Sequence, residues 1–350
     1  MNRTRRSFLK SAAAAAAAAS APSWALPGSP ASSNKSFYKG VQLGVQTYSF
    51  HDIPNDGTGH ADDIIRNMLA AGVYDCELFG GPVVPSSLTG KLPDPALCPH
   101  PTLGCAPGKG GSLRNPWAWV FARYTGDQAI RARERQKKFY ETTPMSYFSD
   151  YRAKFDKAGI NIHAYNPLVS TDMSDLEIDR LFESGKALNV KSINLSTKIS
   201  VLRKLAPLAE KHQLIVAAHG HGAVWDRDEI SDEESFTRAL NLSPWVGANL
   251  DIGHYVALGG DPIDFIDKYH DRIVNLHVKD RQLNQKGMTE ETGDTVAWGL
   301  GKVDIKGVLK HLQAKKYNIP AFIEYEHASN LQPVEEVKKE YETCKQMLDS

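Results

Sequence analysis

After residue 40 the chain alternates short apolar runs with amphipathic stretches of about ten to fifteen residues, the rhythm of consecutive strand–helix units. The apolar runs predict strands over Leu43–Thr47, Tyr74–Leu78, Asn161–Tyr165, Ser192–Leu195, Leu214–His219, Gly247–Asp251, Ile273–Val278 and Ala321–Tyr325. Between them the helical period predicts Ala61–Ala71, Tyr147–Ala158, Leu176–Leu188, Ser200–Lys211, Asp261–Tyr269 and Asp304–Lys315. Eight strands with interleaved helices favour a closed parallel (β/α)8 barrel in the α/β class, and no GxGxxG follows the first strand to suggest an open dinucleotide-binding sheet.

One connection breaks the rhythm. The long insertion after the second strand, from Gly80 to Tyr140, begins Pro/Gly/Ser-rich and runs through Trp117 and Trp119 into a basic segment, Arg131 to Lys138. It leaves the C-terminal end of a strand, where barrel sites lie, and so has the position of a lid or binding loop. The two tryptophans read equally well as a sugar-stacking wall and as a seal on the insertion. The basic segment reads as a solvated helix face rather than a ligand patch.

Composition adds little to this picture. Of 350 residues, 41% are hydrophobic and 23% charged, the make-up of an ordinary soluble globule, and the formal net charge is zero. Acids and bases are intermingled, which speaks against nucleic acid as a partner. The four cysteines form no CxxC pair; Cys98 and Cys105 share one segment and can pair in an oxidising compartment, while Cys76 reads as a buried thiol.

The N-terminus carries a stronger signal. Thr4-Arg5-Arg6-Ser7-Phe8-Leu9-Lys10, an alanine-dominated stretch to Ala19 and then Ser23-Trp24-Ala25 resemble a twin-arginine export signal. The alanine run is too short and too weakly apolar for a spanning helix of about 20 residues. The reading is a signal peptide over 1–25, a disordered leader over 26–40 and the barrel over 41–350, with a periplasmic or otherwise exported protein and no membrane anchor after cleavage.

Chemistry-bearing residues fall at the predicted strand ends, where a plain core would have none. The second strand carries Glu77, the fifth ends in His219-Gly220-His221, the sixth in Asp251 followed by His254, the seventh in His277-Val278-Lys279-Asp280, and the eighth in Glu324-Tyr325-Glu326. A lone histidine or acid at a strand end is usually a satisfied cap or turn residue. Four neighbouring strands presenting His, Asp, His and Glu can instead place one residue each on a single divalent ion. Residues two apart share a face of a strand, so His219 competes with His221 and Glu324 with Glu326.

With these residues the chain from about residue 41 resembles the xylose isomerase-like TIM-barrel superfamily, the sugar phosphate isomerases/epimerases. The resemblance rests on Gly44-Val45-Gln46-Thr47-Tyr48, Glu77, the paired histidines, Asp251-Ile252-Gly253-His254, His277-Val278-Lys279-Asp280-Arg281, Trp298-Gly299-Leu300-Gly301-Lys302-Val303-Asp304 and Ile323-Glu324-Tyr325-Glu326. It implies one divalent metal ion, Mn, Zn, Co or Mg, on His219, Asp251, His277 and Glu324, with Gln46, Glu77 and Trp298 on the substrate side. His219 stands where many members have a glutamate. That departure softens the site towards Zn, Mn or Co and unsettles a two-glutamate proton transfer.

Such an ion stabilises the enediolate formed when the carbon beside a carbonyl loses its proton. The base must be poised near neutrality, and His221, His254 and Glu326 are candidates, with Lys279 available to hold a developing oxyanion. Lys279 and Asp280 have a structural alternative, an ion pair at the barrel rim. The Gly299–Lys302 stretch lacks P-loop spacing and reads as a turn. The expected ligand is therefore an unphosphorylated sugar or glycoside. The expected chemistry is isomerisation or epimerisation, with β-elimination from 3-keto-glycosides and non-catalytic periplasmic sugar binding as alternatives.

Overall fold

The computed structural model describes residues 35–54, 57–84, 127–167, 169, 172–222, 226–285 and 293–350, and the statements below concern these. The signal and leader, Trp117, Trp119, Cys98 and Cys105 lie outside the described residues.

Eight parallel strands close into one barrel: β1 (Val41–Gln46), β2 (Asp75–Phe79), β3 (Asn161–Asn166), β4 (Ser192–Ser196), β5 (Ile215–His219), β6 (Val246–Asp251), β7 (Ile273–Val278) and β8 (Ala321–Ile323). Each pairs with its sequence neighbour, and β1 closes the ring by pairing with both β2 and β8. The strands are buried on both faces, which is why they read as continuous apolar runs rather than alternating ones.

Around the barrel stand α1 (Ala61–Ala71), α2 (Asp127–Thr142), α3 (Met145–Lys157), α4 (Asp175–Ala187), α5 (Ile199–His212), α6 (Glu233–Leu240), α7 (Ile252–Ala257), α8 (Pro262–Tyr269), α9 (Ile305–Lys315) and α10 (Pro333–Asp349). Their boundaries follow local chemistry. Ser174 and Glu177 form a reciprocal capping box at the start of α4, and Asp232 caps α6. Asp261 caps α8 with Pro262 in its first turn, and α1 ends at Gly72 in the left-handed conformation. Inward-facing Ile64, Met68 and Ala71 of α1 are buried at helical spacing. None of the described helices is long and apolar enough to cross a membrane.

Two expectations change. The basic segment lies in α2, where Lys137 and Lys138 are solvated but Arg133 is not: its guanidinium binds Glu177 at 2.6 and 3.0 Å and Asp172 at 2.7 Å, tying α2 to the start of α4. The last strand ends at Ile323 instead of Tyr325. The Glu324 amide still reaches the Val278 carbonyl (3.1 Å), but the Tyr325 amide donates to Ser49 Oγ (2.9 Å), so the two glutamates leave the ladder as they reach the barrel mouth. Cys76 and Cys344 are buried free thiols.

Candidate metal and sugar site

Strand register gathers the chemistry. His219 is the last residue of β5, Asp251 the last of β6, His277 lies on β7 opposite both Asp251 and Phe322 of β8, and Glu324 directly follows β8. One donor atom from each of His219, Asp251, His277 and Glu324 lies within 4.8 Å of all the others, and all four residues are buried. Between the two fifth-strand histidines the geometry separates roles: His219 joins this set, whereas His221 groups with His219 and His254 on the β5–β6 side. The imidazoles of His219 and His221 stand 4.7 Å apart, and those of His221 and His254 5.0 Å.

Asp251 serves two elements at once. Its Oδ1 accepts from the His254 amide (2.8 Å) as the cap of α7, and Oδ2 lies 2.8 Å from Lys279 Nζ. Lys279 also donates to Glu324 Oε2 (2.8 Å) and Glu326 Oε2 (2.6 Å), so one ammonium holds three carboxylates. Its stem passes over the backbone at Gly253, where a Cβ would come within 2.6 Å of Lys279 Cγ. Burial opposes the charge on Lys279, but the three acids outweigh it and raise its pKa well above the usual range.

His277 is held at both nitrogens: Nδ1 lies 3.1 Å from Glu324 Oε2 and Nε2 lies 3.0 Å from Glu77 Oε2. Burial disfavours its protonated form, yet Glu324 and Glu77 prevail and raise its pKa well above that of a free histidine. For Glu324 burial pushes upward, and His277 and Lys279 overcome it to hold the carboxyl well below its ordinary range. His254 goes the other way. Burial first, then the charges of Lys279 and Arg281, press its pKa well down, and Arg281 Nη1 lies 2.9 Å from its Nδ1.

The other sequence candidates sort by depth. Glu326 keeps 28% of its side chain exposed and His221 is half-buried, so both face the mouth. Trp298 packs half-buried against the core in a loop fixed by Asp280. The Asp280 carboxylate accepts the amides of Gly299 (2.9 Å), Gly301 (2.8 Å) and Val303 (3.1 Å), so it organises the glycine turn. Lys279 and Asp280 thus serve different partners, because neighbouring residues along an extended chain point to opposite sides. Gln46 and Glu77 lie beneath the donor set, fully inside the barrel. Gln46 donates to Glu77 Oε1 (3.0 Å) and accepts from the Tyr48 amide (3.1 Å), which engages both ends of its amide.

Asn166, Asn194, Asn249, Asn275 and Arg281 were missing from the residues assigned roles by sequence. The signal was present: asparagine is depleted in strand interiors, yet it recurs in or at the end of four of the eight strands.

No ion is needed to recognise that the donor set fits one. Two imidazoles and two carboxylates converge; Lys279 pairs with Asp251, Glu324 and Glu326, Glu77 faces His277, and Arg281 stands against His254. The raised pKa of His277 lets a proton offset one of these charges, and a divalent ion bound there would displace that proton. Hard oxygen and borderline nitrogen donors together suit Mn, Zn or Co.

Residues 128–347 match the family described as Xylose isomerase-like TIM barrel. Among solved structures, the chain resembles a xylose isomerase domain protein from Alicyclobacillus acidocaldarius at 13% identity and a TM-score of 0.54, over 88% of this chain and 100% of that one. A sugar phosphate isomerase/epimerase from Parabacteroides distasonis aligns at 16% identity and a TM-score of 0.53, over 91% and 96% of the two chains. The 3-keto-D-glucoside 4-epimerase of E. coli aligns at 11% identity and a TM-score of 0.53, over 87% and 99%. At these identities the likeness is one of fold. No curated protein matches the sequence.

Proposed function

The chain belongs to the xylose isomerase-like TIM-barrel family, and we propose that it is a divalent-metal-dependent isomerase or epimerase acting through an enediolate on an unphosphorylated sugar or keto-sugar. The observation that carries this reading is the convergence of His219, Asp251, His277 and Glu324, all four buried and each with a donor atom within 4.8 Å of the others. A divalent ion on those four residues supplies Lewis acidity towards a sugar carbonyl and its neighbouring hydroxyl.

The chain's own groups do the rest. His221 and Glu326 stand at the two ends of the four-strand arc, just after β5 and just after β8, and both keep access to the mouth. They flank a bound sugar from two sides, the arrangement required to remove a proton from a carbon and return one to the other face or to its neighbour. His254 accepts from Arg281 at Nδ1, which leaves its proton on Nε2; it is a donor to a substrate oxygen, not the base. Lys279 keeps Glu324 and Glu326 in place and shields their mutual repulsion. The arginine pair at Arg5-Arg6 and the alanine stretch support export in the folded state.

One observation favours a second reading, cleavage of 3-keto-glycosides by β-elimination. His254, with its proton on Nε2, can hydrogen-bond a departing glycosidic oxygen, and His221, its ring 5.0 Å from that of His254, is placed to protonate that oxygen. Both readings are tested by incubating metal-loaded protein with free sugars and 3-keto-glycosides in deuterium oxide and following them by NMR. Deuterium beside the carbonyl with the skeleton intact is the expected result. Release of the aglycone selects elimination, and absence of exchange on every keto-sugar overturns both in favour of sugar binding without turnover.

A further inference from the structure

The interior of a parallel barrel is normally packed with branched apolar side chains. This one is crossed by a polar belt converging on a single acid. Glu77 Oε1 accepts from Gln46 Nε2 (3.0 Å) and Asn166 Nδ2 (3.0 Å), and Oε2 from Asn194 Nδ2 (2.6 Å) and Asn275 Nδ2 (2.9 Å). Asn249 Nδ2 reaches both oxygens, at 3.4 and 3.2 Å, and His277 Nε2 completes the set at 3.0 Å. Glu77 is completely buried, and every one of these partners is a donor or, in the case of His277, a ring nitrogen able to donate.

We infer that Glu77 is a positioning residue: its carboxylate fixes the His277 ring with the proton on Nε2, so that Nδ1 faces Glu324 as the ligand atom. The inference rests on the proposed ligand role of His277. Asn249 Nδ2 is also 3.1 Å from His277 Nε2, but an amide nitrogen only donates, so with the proton on Nε2 this is a contact rather than a bond and Asn249 donates to Glu77 instead (3.2 Å to Oε2). A bond from a ring N–H to a carboxylate is the stronger arrangement. The amide belt, drawn from β1, β3, β4, β6 and β7, holds the carboxylate where the histidine requires it. A carboxylate behind a ligating imidazole sets its tautomer and orientation and raises its basicity as a donor.

The test is calorimetric titration of metal-free protein with Mn²⁺, alongside thermal melts. Glu77→Gln, which keeps the shape and removes the charge, is expected to weaken Mn²⁺ binding by about 10–100-fold, with Glu77→Asp recovering part of the loss. A purely structural role would lower the melting temperature of Glu77→Gln and leave Mn²⁺ affinity at the wild-type value, and that result overturns the inference. Should Glu77→Gln fail to fold, long-range ¹⁵N–¹H correlation of the His277 ring in wild-type protein decides. A proton on Nε2, with Nδ1 shifting on Mg²⁺ or Zn²⁺ addition, supports the inference; a proton on Nδ1 of the metal-loaded form overturns it. His277→Gln separates the two levels: wild-type Mn²⁺ affinity in that variant means the ligand assignment itself has failed. Loss in His277→Gln with full affinity in Glu77→Gln removes only the role given to Glu77.

Discussion

Two buried histidine–carboxylate clusters lie close together in the chain, Glu324 belonging to one and His327 to the other, and both have donor atoms within 4.8 Å of one another. In the second, His327 Nδ1 donates to the Ala328 carbonyl (3.0 Å), and Nε2 faces Glu340 Oε1 at 3.2 Å and Glu336 Oε1 at 3.7 Å. Glu336 also takes Lys339 Nζ (2.7 Å) and Ser329 Oγ (2.8 Å). The hydrogen bond to Glu340 raises the His327 pKa, and with Lys339 on Glu336 the group closes on itself. At the barrel mouth the donors come from the ends of four different strands. Residue types and spacing alone do not separate a structural ion-pair network from a candidate metal centre; where the donors sit in the fold does.

The sharpest way to break this comparison is Asp251→Ala. It is expected to take Mn²⁺ content, measured by elemental analysis after equilibration, from one ion per chain to none, and to abolish turnover; an unchanged ion count would mean that the ion sits elsewhere, the His327 cluster included. Lys279→Met ranks next, because it leaves three carboxylates without their shared cation. Breaking a buried pair costs roughly 3–5 kcal/mol, and urea unfolding of metal-free protein should show a loss of that order that added Mn²⁺ partly restores.

His327→Gln is expected to cost less, about 1–3 kcal/mol, with metal content and turnover unchanged. A loss of bound ion in this variant would erase the distinction between the two clusters. The smallest effect is in pH. A histidine whose folded pKa is raised contributes stability that is fully present below its unfolded pKa, about 6.5, and that is lost as pH rises through the higher folded value. The difference in melting temperature between wild type and His327→Gln should therefore be largest near pH 6 and shrink on raising the pH. A difference that grew with pH would mean His327 is neutral in the folded protein.

Much of this was legible in the chain. The short apolar runs and the 3.6-residue period placed all eight strands and the six named helices within a few residues, because burial on both faces of a parallel strand and on one face of a helix is written locally. His, Asp, His and Glu at neighbouring strand ends gave the donor set, since strand order fixes which ends are adjacent. What the tertiary structure decided were matters of direction. His219 rather than His221 joins the donors because of where β5 stops. Lys279 turns to three acids and Asp280 to three loop amides because successive side chains face opposite ways, and the end of β8 depends on Ser49, a residue some 270 positions earlier that takes the Tyr325 amide. Glu77 read as a substrate contact and lies instead at the centre of an asparagine belt drawn from the other strands. Hydrophobic period is a local property and can be read along the sequence; the partner of a buried polar group is chosen by closure of the barrel, which brings together strands that no local pattern relates.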